Sequence, residues 1–535
     1  MALADYIVVG SGCSGAMAAQ TLIEAGKSVV MLDVGNEGTT AEVPDKDFLS
    51  IRRQEKDQYR YFIGKDGEGI AGESIGKGAQ VTPPRMHMVS HSDELSPIRS
   101  ENFSPVQSLG YGGLGIGWGL QCWTYSDSEL KEAGLNPQKM QAAYQTVAER
   151  IGISGTNDEA AHYTLGPVTN YQPSPDMDRN HQAISKQYEG KKAGLKKKGF
   201  TLGRTPLALL TEDFKGRKKY RYHDMDYYAN PGLSAWRPWV TVNELRRNPH
   251  FIYIANMLTL SFKEINGMVE VTCFDTVKKV EVVHKARKLI LAASALNSAR
   301  IVLRSRAAYD TKLPLLCNPY TYIPCLQPSL FGKGPEAHKL GYAQLSLFLD
   351  EDHSNFDVSV ASLYSYQSLM LFRIVQQAPL NFVDAKSIMR YLSTGLVIMG
   401  VHHPDRSSAK KYLSLTRDKA AVTGDVLTLE YSLNQKEKAE IKRRENKFVK
   451  AMRQLRAYPL KRIDPGNGAS IHYAGTLPFS SSKKDFSLSP AGRLHGTRSV
   501  YVADSSGFTY LPARGLTFTL LANAHLTAVE ALKHD

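Results

Sequence analysis

The sequence predicts an α/β fold that carries a second, α+β domain built on a mainly antiparallel sheet. Three observations lead there. Tyr6-Ile7-Val8-Val9 is a short apolar run ending at Gly10, the pattern of a strand buried on both faces. Two more apolar runs, Lys288 to Ala293 and Val500 to Ala503, come later, and each precedes a stretch with helical spacing. Between them, residues 311–460 mix short strand-like runs with a charged helix and read as a separate layer.

The elements follow in order. Ser14 to Ala25 has small and apolar residues at helical spacing and stops at Gly26, and Ser28 to Leu32 is a second strand closing on Asp33. Residues 40–100 are polar without periodicity and read as irregular. A glycine-dense stretch, Gly110 to Gly119, is followed by a helix over Pro137–Arg150. Phe251 to Val283 has the pattern of a β-meander; Asn266-Gly267, between Ser261–Ile265 and Met268–Phe274, suits a type I′ hairpin. The later strands lead into helices over Leu296–Arg304 and Thr517–Leu532.

Composition narrows the class. A chain of 535 residues has room for roughly two to four folding units. With 42% hydrophobic and 22% charged residues it is an ordinary globular protein rather than a disordered one. No uninterrupted apolar stretch is long enough to cross a bilayer. Met1 to Asp5 lack the basic head and apolar run of a secretion signal, and the five cysteines are few, odd in number and scattered. A reduced, cytoplasmic protein is the expectation. Much of the net charge of +14 lies between Lys186 and Arg221, with a second basic region from Lys436 to Arg462. These read as solvated surface, the sharper alternative being attraction of an anionic substrate, lipid headgroup or acidic partner. No nucleic-acid motif accompanies them, so nucleic acid is not an expected partner.

Gly10-Ser11-Gly12-Cys13-Ser14-Gly15 is a G-x-G-x-x-G sequence between a strand and a helix. Gly10 allows the tight turn, Gly12 a close backbone approach to a pyrophosphate, and Gly15 close helix–strand packing; Ser14 sits in the helix N-terminus that supplies N–H donors. Asp33 stands near the offset at which an acid binds a ribose hydroxyl, which disfavours a 2′-phosphate and hence NADP. The fingerprint predicts a Rossmann-like domain for a dinucleotide, FAD or NAD. Gly112 to Gly119 has too little side chain to pack a core, and suits tight turns close to a ligand. Small residues at Ala292 to Ala295 follow a strand where ligands bind in open parallel sheets.

In four separated places the chain resembles the glucose–methanol–choline (GMC) family of FAD oxidoreductases. These are the fingerprint with Asp33-Val34-Gly35, the run Gly112-Gly113-Leu114-Gly115-Ile116-Gly117-Trp118-Gly119, the turn Leu291 to Arg300, and the end of the chain. The last comprises His472-Tyr473-Ala474-Gly475-Thr476, Tyr501 to Asp504, and the helix from Thr517. Residues 40–100 and 311–460 match no member clearly. The resemblance implies FAD, with Gly112, Gly113, Gly117, Trp118 and Gly119 along its pyrophosphate and flavin, Ala293 packed on it, and Asp504 bonded to its central phosphate–ribityl region. The helix from Thr517 would aim its positive end at the flavin. Gly110 to Trp123 contains no histidine that could tether the cofactor, so FAD is expected to be non-covalent.

His472, in His-x-x-Gly-Thr, resembles the family's active-site histidine, and a histidine suits removal of a hydroxyl proton near neutral pH. The family's second catalytic residue, a histidine or asparagine before the last helix, falls on Gly515. Three arrangements are compatible with this. Arg514, Asn523 or a residue of the middle domain takes over; His472 acts alone with a backbone N–H; or the chemistry is not ordinary alcohol oxidation. His402-His403 is an adjacent pair whose side chains should point apart on a strand, not a metal site.

The expected architecture is a Rossmann-like FAD-binding domain from residues 1–45, 100–150, 236–310 and 465–535, with a substrate domain from 151–235 and 311–464. The expected reaction is hydride transfer from an alcohol carbon to flavin N5 with His472 as base, then reoxidation by oxygen, a quinone or another acceptor. The resemblance favours a sugar, glycoside, polyol or secondary-metabolite alcohol; a sterol or long-chain alcohol stays open. The chief alternative is a GMC-like protein with non-oxidative, lyase-type chemistry, which Gly515 keeps alive. A flavin-binding interaction protein without turnover draws only on the basic stretches.

Overall fold

Tyr6, Ile7 and Val8 have no solvent exposure, and with apolar neighbours on both faces the chain starts as a central strand. The structure is a computed structural model that describes residues 3–38, 43–64, 67, 81–334, 336, 339–365 and 381–533. β1 (Ala4–Val9) leads into α1 (Cys13–Glu24) and β2 (Val29–Leu32). Next come α2 (Pro137–Ile151), β3 (Phe200–Arg204), β4 (Phe251–Ile254), β5 (Met257–Ile265), β6 (Met268–Asp275) and β7 (Val280–Leu291). α3 (Ser294–Ser305) is followed by β8 (Tyr320–Leu326), β9 (Leu345–Leu349), β10 (Ser359–Ser365) and β11 (Leu396–His402). Then follow α4 (Gln435–Gln454), β12 (Tyr458–Pro459), β13 (Val500–Val502) and α5 (Leu516–Leu532).

The first sheet runs β4-β2-β1-β7, all parallel, with β7 also paired to β6 and β13. Here the structure corrects the sequence reading. The meander's last strand and the buried strand near Lys288 are one element. The N-terminal half of β7 pairs antiparallel with β6, and its C-terminal half pairs parallel with β1 on one side and β13 on the other. The burial pattern shows why: Val280 to Lys285 is partly or fully exposed, whereas Leu289 to Leu291 is inaccessible. The hairpin at Asn266-Gly267 forms as expected, with φ of 51° and 75° and Ile265 opposite Met268.

The second sheet is antiparallel throughout, in the order β12-β8-β11-β10-β9-β3. Strand alternation gives it two distinct faces. Ile323, Cys325, Val397, Met399, Val401 and Leu363 pack with Phe448 and Met452 of α4 in one core. The opposite face, with Tyr320, Tyr322, Tyr364 and His402, turns towards the strand ends of the first sheet. The chain is thus mixed α/β with an antiparallel second sheet.

Residues 40–100, read as irregular, contain short helical turns at Phe48–Gln54 and Pro83–Met88; residues 68–80 lie outside the described ones. These turns are held from afar, for example by Arg85 donating to the Asp226 carbonyl at 2.7 Å. Much of the basic surface is locally paired. Lys192 and Lys196 meet Glu159, Lys218 meets Asp213, and Arg443 and Lys447 of α4 meet Glu351. Arg217 departs from the expected solvated face: it is buried and donates to the Ile151 and Leu233 carbonyls. Among the described residues no helix is long and apolar enough to cross a membrane.

Candidate active site

The glycine turn after β1 is held by close backbone contact. A Cβ on Gly15 would lie 1.8 Å from the Gly10 carbonyl oxygen, and Gly10 itself has φ of 97°. Ser11 links the turn to its neighbours: its hydroxyl accepts from the Gly112 N–H at 2.8 Å and donates to Asp33. Tyr253 also donates to Asp33, at 3.3 Å. Burial still dominates at Asp33 and pushes its carboxyl up to about 6. The second glycine stretch forms a turn of 3-10 helix over Gly113–Gly117. Sequence reasoning did not single out the residue that clamps it. Buried Arg237 donates to the Gly115 carbonyl at 3.2 Å, to the Trp118 carbonyl, and to the Tyr342 hydroxyl at 3.0 Å.

A continuous cavity of about 650 Å³ runs from this turn to the second sheet. Gly10, Gly12, Ser14 and Asp33 line it at one end, with Gly113, Gly117, Trp118 and Gly119 along its wall. Ala293, His472, Asp504, Gly515 and Thr517 complete the predicted set that faces it. Gly15, Gly112 and Asn523 do not line it. Gly15 packs against Gly10, and Gly112 supports Ser11. Asn523 lies behind the Asp504 loop, its amide aimed at the Ala503 and Asp504 carbonyls, and so takes no part in lining the cavity. Three helices, α1, α3 and α5, begin at Gly12, Ala293 and Gly515 on this cavity, and none has a side chain capping its first turn. Their free N–H groups and positive dipole ends converge on one space, which favours an anionic ligand.

His472 stands at the other end, and its protonation pattern follows from its partner. The Asn318 amide nitrogen donates to the carbonyls of His403, Leu511 and Pro512 at 2.8, 3.3 and 3.0 Å. Three acceptors fix the amide's orientation, so its oxygen faces His472 Nδ1 at 3.0 Å and must accept from it. The proton therefore sits on Nδ1, and Nε2 carries the lone pair. Ile471, which precedes it, has φ of 61°, a conformation costly for a β-branched residue. Strain of this kind is spent on aiming the next side chain.

An ion cluster around a buried lysine steadies the backbone just before Asn318. Lys411 has no solvent exposure, and its ammonium lies 2.6 Å from Asp405 and 2.7 Å from Glu437. Asp405 in turn accepts from the Cys317 N–H at 2.9 Å, next to Asn318. Lys411→Met should leave the Asp405 carboxylate buried without its cation and cost about 3–5 kcal/mol. A urea titration checks this, and the turnover of the variant should fall as well, through Asn318.

Burial pushes His472 down to about 4 from an ordinary 6.5. It is therefore neutral, with the Nε2 lone pair unprotonated, throughout the physiological range. Between pH 6.5 and 4 the unfolded chain holds more protons at this site than the folded one, so acidification there destabilises the fold. The matching kinetic expectation is an acidic limb in kcat/KM near pH 4 rather than 6.5, read from a pH–rate profile.

Gly515 faces the cavity near Trp123 with no side chain. Arg514 does not fill the space: it is buried elsewhere, 3.3 Å from Glu129 and bonded to the Thr124 carbonyl and Asn355. A residue of the middle region is nearer. The His402 ring stacks on His472 with centroids 5.3 Å apart and planes 23° from parallel. The tyrosine face surrounds it. Tyr320 lies 4.4 Å from His402 by ring centroid, and the Tyr320 and Tyr364 hydroxyls are 3.1 Å apart. Gly400 makes room for them, since a Cβ there would meet the Tyr320 oxygen at 2.7 Å. His403 points to the other face, as adjacent strand residues should, and bonds Ser359 at 3.0 Å.

No family model matches the chain. Among curated proteins it is similar to paromamine 6'-oxidase of Streptomyces fradiae, 24% identical over 313 residues, covering 56% of this chain and 49% of that protein. It is likewise similar to 6'''-hydroxyparomomycin C oxidase of Streptomyces lividus, 24% identical over 318 residues, covering 57% of this chain and 51% of that protein. The chain thus spans about half the length of the curated relatives it matches, and both are oxidases.

Proposed function

We propose that this protein is a flavin-dependent oxidoreductase of GMC type that binds FAD non-covalently and oxidises an alcohol group of a glycoside or similar polyhydroxylated small molecule. The observation that carries the reading is His472, held as the Nδ1–H tautomer by Asn318, with its Nε2 lone pair left for a hydroxyl proton. The two oxidase relatives support the reaction class, and their named substrates favour a glycoside over a sterol or long-chain alcohol.

The residues present fit FAD. Three uncapped helix starts and a glycine-walled cavity suit a pyrophosphate, and Asp33 suits a ribose hydroxyl. Gly12, Ser14, Gly113 and the α3 start at Ala293 would hold the cofactor's phosphates and adenosine end. Asp504, Gly117, Trp118, Gly119 and Thr517 would hold its flavin half. FAD, when bound, supplies the hydride acceptor; oxygen, a quinone or another acceptor would reoxidise it. The chain's own part is to orient the alcohol against the tyrosine face, take its proton at His472 Nε2 and keep water out. In this reading residues 1–45, 100–150, 236–310 and 465–535 form the FAD-binding unit, and 151–235 and 311–464 the substrate unit.

The purified protein should be yellow, and acid or heat denaturation followed by filtration should release all of the flavin. Under anaerobic conditions the flavin absorbance should bleach with at least one of paromamine, methyl α-D-glucopyranoside, D-glucose or glycerol. A colourless protein that takes up no FAD, or a loaded one that no alcohol bleaches, removes the reading.

A further inference from the structure

We propose that His402 is the second catalytic group of this site, donating a hydrogen bond to the substrate's hydroxyl oxygen while His472 takes its proton. The proposal rests on the alcohol-oxidising reading above. It starts from where the second sheet puts this side chain. β11 lies between β8 and β10, and His402 ends its cavity-facing row after Ile398 and Gly400. The row ends against His472, so two imidazoles from distant parts of the sequence share one wall.

The ring is packed against two other rings. Its aromatic neighbours Tyr320 and His472 lie at 4.4 and 5.3 Å between centroids. Yet its hydrogen bonding is unmet: His402 Nδ1 is buried without a partner among the described residues. A buried polar atom left so costs about 1–3 kcal/mol, and such atoms call for an explanation such as a ligand or water. His403, one residue on, bonds Ser359 through Nδ1, and its own Nε2 also lacks a hydrogen-bond partner, 3.9 Å from Glu445; what sets His402 apart is that it faces the cavity beside His472.

Charge assigns the roles. Burial first, and then the neighbouring imidazoles, hold His402 well below the ordinary histidine range, so it meets the substrate neutral, with one N–H to give. Two stacked imidazoles cannot both carry a proton cheaply. His472 has its Nδ1 proton committed to Asn318 and a free lone pair, which makes it the acceptor. The alcohol O–H bond breaks and its proton goes to His472 Nε2. The C–H bond breaks with its electron pair, as hydride to the flavin oxidant of the proposed function, and a C=O bond forms. The His402 proton stays on His402 throughout, and its hydrogen bond strengthens as charge builds on the oxygen. Gly515, which faces the same cavity, contributes no side chain to this task.

The test uses the flavin-loaded protein, with paromamine and methyl α-D-glucopyranoside as probes. His402→Ala should lose about 10²-fold in the rate of anaerobic flavin bleaching, with flavin content unchanged. Imidazole added to the buffer should recover at least about tenfold of that loss, a response that a merely structural histidine does not give. His402→Phe fills the space, should lose as much rate and should not respond to imidazole; it decides the matter if the alanine variant does not fold. Calorimetric titration with the same probes should show weaker binding in both variants. Wild-type rates and dissociation constants in either variant overturn the role of His402 and leave the alcohol-oxidising reading standing. A wild-type protein that neither probe binds or bleaches overturns both.

Discussion

His472→Ala, purified with its flavin, should bleach with substrate about 10³-fold more slowly than the wild type. The size of the effect follows from what His472 Nε2 is arranged to do. Without it, the hydroxyl proton loses the acceptor arranged for it, and the cleavage of the C–H bond must run against an undissociated alcohol. Folding should suffer less. The variant leaves the Asn318 oxygen without its donor, at about 1–3 kcal/mol, while the amide stays pinned by three backbone carbonyls. Flavin content and the urea midpoint therefore serve as controls, and anaerobic stopped-flow absorbance supplies the rate. A wild-type rate in the variant would end the assignment of His472 as base.

The second large effect is expected in the fold. Gly15→Ala places a methyl group 1.8 Å from the Gly10 carbonyl oxygen and 3.5 Å from the Ala292 side chain. The obstacle is backbone of the turn that follows β1, which cannot rotate aside as the tip of a side chain would. Helix α1 must move away from β1, and with it goes the packing of α1 against α5. A loss of at least about 4 kcal/mol, or failure to recover soluble protein, is expected. Gly194→Ala is the matched control, because a Cβ there meets nothing within 4 Å and the position is exposed. If both variants unfold at the wild-type urea concentration, the close approach at Gly15 is not what holds α1.

What could be read from the sequence was what is local. The turn from Gly10 to Gly15 and Asp33 belong to one β-α-β stretch, and periodicity alone placed its two strands and helix within a residue or two. Asn266-Gly267 forced a hairpin for an equally local reason. His472 and Asp504 were legible only through resemblance, because nothing near them in the chain marks a site. Asn318, Arg237 and His402 carry no local signal as a group. Asn318 matters because its amide is fixed by carbonyls at 403, 511 and 512, and Arg237 because it reaches carbonyls at 115 and 118. For His402 half the signal was present. Alternation places it on the same face as Gly400 and Ile398, opposite His403. The missing half was the pairing of Tyr320 with His402 across β8 and β11, which fixes that face as the one turned to the cavity. Reading His402-His403 as a unit tested a metal site and passed over what each ring does alone.

The double pairing of β7 has a consequence for synthesis. On the side where β6 leaves off at Ala286, β13 takes over at Leu289, and the strands that meet there lie more than two hundred residues apart in the chain. While the ribosome has yet to pass Val502, the hairpins of β5, β6 and β7 can form, but the apolar end of β7 keeps one unpaired edge. Such an edge recruits neighbouring chains. The nascent protein should therefore be most prone to association until its last parallel strand emerges. Stalled or truncated chains should be the ones that aggregate.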